Sequence, residues 1–105
     1  MTKPIYSTQA MIEMDAIAEY IQQSSPRSAL RFLEAIEKTV ERLLMFPELG
    51  AHFETGIPEL SDLRVNLVTG FEKYLLFYRV RSEEVHIERV VLGSRDLPNI
   101  LREGI

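Results

Sequence analysis

A chain of 105 residues has room for one domain, taken here as residues 1–105, and not for a second. It has no cysteine and a net charge of −4 from 12 basic and 16 acidic side chains. This excludes disulfides, thiolate catalysis and Cys-ligated metal, and argues against binding nucleic acid by general phosphate neutralisation. No apolar run approaches the ~20 residues of a membrane span. The start, Met1-Thr2-Lys3-Pro4, lacks the basic and apolar regions of a signal peptide, so a cytoplasmic protein is expected.

Ile5-Tyr6 is a short apolar pair suited to a strand, and Ser7 or Thr8 can cap the helix that follows. Met11, Met14, Ile17, Ala18 and Ile21 recur at helical spacing, with Glu13, Asp15 and Glu19 off that stripe. Ser24-Ser25-Pro26 ends the first helix and starts a second, with Ser25 as cap and Pro26 in its first turn. Its apolar stripe runs through Ala29, Phe32, Leu33, Ile36, Val40, Leu43 and Leu44, and Pro47 and Gly50 terminate it. Two amphipathic helices on a short link predict an antiparallel hairpin.

Ala51 to Glu59 shows no period and reads as a loop. Leu63 to Val68 alternates as a half-buried strand, and Thr69-Gly70 marks a turn. Tyr74 to Tyr78 is apolar on both parities, as in a central strand covered on both faces or one with aromatics on an open face. After the polar turn Arg81-Ser82-Glu83-Glu84, Val85 to Leu92 begins with clean alternation and then turns apolar throughout. The prediction is an α+β fold: a short N-terminal strand, a two-helix antiparallel hairpin, then a three-stranded antiparallel sheet packed on the helices.

Catalytic patterns are sparse. His52 and His86 stand outside any H-E-x-x-H motif, so neither a metal nor another cofactor is expected. His86-x-Glu88 places an imidazole and a carboxylate on one strand face, read as a solvated or cross-strand pair. The charge is unevenly divided: five basic against ten acidic residues over 1–62, a net of −5, and seven against six over 63–105, a net of +1. Arg64, Arg79, Arg81, Arg89 and Arg95 fall on or beside the strands. Arginine's forked donors suit carboxylate or phosphate, and each also has acidic neighbours with which to pair internally.

The order of these signals resembles the RelE/ParE toxin superfamily. Ser7-x-x-Ala10, Asp15, Ala18 and Tyr20-Ile21 resemble its first helix, and Ser25-Pro26-x-x-Ala29-x-x-Phe32 the start of its second. Leu43-x-x-x-Pro47-x-x-Gly50 is similar to its helix exit. Leu63-Arg64, Phe77-Tyr78-Arg79-Val80, Val85-x-Ile87-x-Arg89-Val90 and Gly93-Ser94-Arg95-Asp96 are similar to its strands. The resemblance covers nearly the whole chain. It implies a toxin of a type II toxin–antitoxin module, neutralised by a small antitoxin. The ParE-like branch poisons DNA gyrase through protein contact, whereas the RelE-like branch cuts mRNA on the ribosome.

Matched residue by residue to the ribonucleases, Arg64 stands for a catalytic lysine and Arg95 for the arginine after the last strand. Asn66, Leu75 and Leu101 fall where a second lysine, an arginine and a late tyrosine would be. The ParE-like branch is therefore the expectation, with no direct nucleic-acid contact; the alternatives are a RelE-like mRNA endonuclease and a non-toxic binding module on the same scaffold. Arg64, Arg79, Arg89 and Arg95 are the candidate contacts to antitoxin or target, and Arg64 and Arg95 the catalytic pair under the RelE-like alternative.

Overall fold

The computed structural model describes residues 3–94 together with Leu97, Asn99 and Leu101. The chain runs β1 (Ile5–Tyr6), α1 (Thr8–Gln22), α2 (Pro26–Met45), β2 (Ala51–His52), a 3-10 turn at Pro58–Leu60, β3 (Arg64–Val68), β4 (Phe71–Arg81) and β5 (Glu84–Leu92). Both predicted caps are present. Ser7 Oγ accepts from Ala10 N at 2.9 Å and Ser25 Oγ from Ser28 N at 3.1 Å, each satisfying an orphan amide of the first helical turn.

The α+β class and the helical hairpin packed on a sheet are as predicted, but the three-stranded antiparallel sheet is corrected. The sheet is five-stranded and mixed, in the order β1-β5-β4-β3-β2. β1 pairs parallel with β5, Ile5 opposite His86 and Tyr6 opposite Ile87. β2, inside the stretch read as a loop, pairs antiparallel with β3, Ala51 opposite Val65 and His52 opposite Arg64. Both additions are two residues long, too short to show a period of two in sequence.

β4 is apolar on both parities because both of its faces are covered. Tyr74, Leu76 and Tyr78 meet Phe32, Ile36, Val40 and Leu43 of α2, while Phe77 packs with Leu60, Leu63, Val91 and Leu101 on the opposite face. A bulge explains the change of pattern along β5. Tyr78 faces Ile87 and Phe77 faces Arg89, so Glu88 is the extra residue. Beyond it Val90 returns to the helix-covered core and Val91 joins the opposite cluster. Glu88 makes a cross-strand pair with Arg79, the residue opposite His86, and His86 Nε2 lies 3.4 Å from Glu84 Oε1. No helix among the described residues is long and apolar enough to cross a membrane.

Candidate protein-interaction site

Four residues of the family pattern, Pro47, Gly50, Arg64 and Tyr78, meet at the exit of α2. Phe46 N caps the helix by donating to Arg42 O at 2.8 Å, and Leu49 N donates to Phe46 O at 3.0 Å to form a turn. The Tyr78 hydroxyl, on a fully buried side chain of β4, donates to Pro47 O at 2.8 Å and accepts from Gly50 N at 2.8 Å. Gly50 is required by this approach, because a Cβ there would stand 2.6 Å from the Tyr78 hydroxyl and 2.8 Å from Val65 O. Burial pushes the Tyr78 hydroxyl above its ordinary pKa, opposed by the Gly50 amide and the Arg64 charge.

Arg64 completes the clamp. Its Nη1 donates to Glu48 O at 3.1 Å and Gly50 O at 2.6 Å. Its Nη2 lies 3.2 Å from His52 Nε2. A guanidinium can only donate, so this contact requires Nε2 to be the unprotonated ring nitrogen. Helix exit, β2, β3 and β4 are thus joined by side chains from three separate sequence segments.

Arg79 and Arg81 lie near this end of the sheet and share Asp62. Arg81 Nε donates to Asp62 Oδ2 at 2.9 Å, and Arg79 Nη1 is 3.6 Å from Asp62 Oδ1. Arg79 also donates to Glu88 Oε2 at 3.0 Å and to Glu59 O at 3.1 Å. The hydrogen bond from Arg81, with the charges of Arg81 and Arg79, holds the Asp62 carboxyl below its ordinary pKa despite some desolvation. Asp62, Arg64, Val80, Glu83, Pro47 and Glu48 line a cleft of about 580 Å³.

Arg89 is apart from this group. Its side chain is 7 % exposed and its Nε donates to both oxygens of Glu13, on α1, at 3.0 and 2.9 Å. Glu13 Oε1 also accepts from Val90 N at 3.0 Å. The structure therefore brings Arg64 and Arg79 to one region through Asp62, and places Arg89 under α1. Arg95 lies outside the described residues. Sequence reading missed Glu48, Asp62 and the Tyr78 latch; Pro47, Gly50 and Tyr78 were present in the motifs, but nothing in their spacing indicates a contact across 28 residues or more.

The fold is a helical hairpin on a mixed sheet, with its second helix exit clamped by Arg64 and Tyr78. The chain belongs to the family described as the ParE toxin of the type II toxin–antitoxin system, parDE, whose model matches residues 5–97. A comparison with curated proteins found no match. As a member of a toxin–antitoxin family, the chain has an antitoxin as its implied partner.

Proposed function

We propose that the chain is a ParE-like toxin that inhibits DNA gyrase through protein contact and is neutralised by an antitoxin. The observation that supports this most is what the ribonuclease positions do. Arg64 clamps two backbone carbonyls. Leu101 is fully buried in the second core cluster, and Leu75 packs against the same cluster. RNA cleavage needs positioned acid–base groups and charge stabilisation at the scissile phosphate. Here these positions hold the fold together.

The antitoxin reading draws on the helical hairpin. Ala18, Gln22, Pro26, Ala29, Leu30 and Leu33 line a shallow groove between the helices, and Met11, Ile12, Tyr20 and Leu30 are exposed large apolar side chains on the same two helices. Such a surface suits the apolar face of an amphipathic helix. Of the arginines proposed as polar contacts to antitoxin or target, Arg64 is half-buried at the cleft and is assigned to the target. Arg79 and Arg89 would engage a partner by exchanging an internal carboxylate for an external one.

Expression of the chain alone is expected to arrest growth, and co-expression of the small neighbouring reading frame to restore it. Purified protein is expected to inhibit supercoiling by gyrase. An absence of growth arrest, or cleavage of ribosome-loaded mRNA by the wild type, would replace this reading.

A further inference from the structure

Three large apolar side chains protrude where α2 gives way to the sheet. Met45, Phe46 and Leu49 are 65 %, 60 % and 44 % exposed. They are neighbours by local geometry, because the Leu49 N–H bond to Phe46 O closes a turn that brings its first and fourth residues together. The mount is rigid. Tyr78 holds Pro47 and Gly50, and Arg64 holds Glu48 and Gly50. Four hydrogen bonds, one of them buried, thus hold a turn whose apolar side chains face water.

The acidic cleft adjoins the same turn, with Pro47 and Glu48 in its wall. Three carboxylates line it, Glu48, Asp62 and Glu83, against one cation, Arg64. Asp62 is neutralised by Arg81 and Arg79, whereas Arg64 keeps its charge while donating to backbone carbonyls. Among the described residues, Glu48 and Glu83 have no ion pair, so two carboxylates stand against the one Arg64 charge and the cleft keeps a negative excess for an incoming group.

We infer that this knuckle and its cleft form the surface that grips the toxin's protein target. Phe46, flanked by Met45 and Leu49, enters an apolar pocket of the target, and a Lys or Arg at the rim of that pocket enters the cleft between Glu48 and Glu83. The inference rests on the reading of the chain as a toxin acting by protein contact, and adds the surface and the chemistry of the partner. Aromatic and methionine anchors are enriched at interface centres, and a pre-ordered mount reduces the ordering cost of binding. A second copy of this chain fits poorly, because a two-fold contact through the patch would set one acidic cleft against another.

Two variants test this: Phe46→Ser, and the charge reversal Glu48→Lys with Glu83→Lys. Each is expressed as the full chain and checked for folding by its melting transition. Three readouts are taken: the expression dose needed for growth arrest, supercoiling by purified gyrase, and capture of the antitoxin from the neighbouring gene. Met45→Ser serves as the second apolar variant if Phe46→Ser does not fold.

Both classes of variant are expected to raise the arresting dose by roughly tenfold or more, as truncation of an interface anchor does, with antitoxin capture unchanged. Folded variants that arrest growth at the wild-type dose overturn the inference alone. So does loss of antitoxin capture by a folded variant, which would assign the knuckle to the antitoxin. A wild-type dimer in light scattering that Phe46→Ser splits would assign it to a second copy. A wild type that never arrests growth removes the toxin reading and the inference with it. Arrest that depends on the knuckle while gyrase is unaffected supports the inference and points it at another basic-rimmed target.

Discussion

The two margins of the sheet solve the same problem with different chemistry. An edge strand presents unpaired amides and carbonyls that invite pairing with another chain. On the β5 margin, β1 pairs with two residues and then α1 takes over. Ser7 N donates to Ile87 O, Ser7 Oγ donates to Glu88 O, and Glu13 accepts from Val90 N. Glu13 can be largely covered there because Arg89 neutralises it. On the β3 margin, β2 again pairs with two residues, and the closure is made by a neutral hydroxyl, Tyr78, and an arginine directed at carbonyls. One margin depends on a little-exposed ion pair. The other depends on hydrogen bonds to the backbone, with the Arg81–Asp62 pair left in solvent.

This contrast predicts a ranking of substitutions. The largest effect is expected at Arg89→Ala, which strands the little-exposed Glu13 carboxylate, and next at Glu13→Ala, which strands the Val90 amide. A loss of about 3–5 kcal/mol is expected by urea unfolding. Replacing both residues with apolar side chains is expected to recover most of it, and a loss at Arg89 no greater than at exposed Arg81 would break the comparison.

Tyr78→Phe comes next. It leaves Gly50 N and Pro47 O unsatisfied while preserving the ring, so about 1–3 kcal/mol is expected. Amide hydrogen exchange should localise the change, with faster exchange at Gly50 and little at Val90.

The smallest effect is expected at Asp62→Asn, below ~1 kcal/mol and reduced further by salt, because its pair with Arg81 is solvent-exposed. The pH dependence has a definite sign. The folded-state pKa of Asp62 is lowered, so its contribution is complete above the unfolded value of about 3.9 and is lost as pH falls through the folded value. Melting temperatures of wild type and Asp62→Asn should therefore differ near neutrality and converge in acid. A difference that grows on acidification would reverse the assignment.

Much of the fold was legible because it is written in local periods. The helices, their Ser7 and Ser25 caps and the double-sided strand around Leu76 follow from spacing and cap chemistry. The candidate site was half legible. Arg64 was singled out as a contact to antitoxin or target, while its place at the junction was not legible, because its partners are carbonyls and any residue supplies a carbonyl. Arg79 and Arg89 were visible as charges, whereas Glu88 and Glu13 could be chosen over other nearby acids only once the bulge and the position of α1 were known.

From the sequence alone follow the class of fold, the two amphipathic helices, the three longer strands and the toxin-family pattern, because side-chain period and order of motifs are properties of a line. Tertiary structure alone decided the two short flanking strands, the bulge at Glu88, and which acid each arginine takes. It also decided that Pro47, Gly50, Arg64 and Tyr78 form one clamp under an exposed apolar turn. These depend on distances between segments far apart in the chain, and such distances are set by packing rather than by local preference.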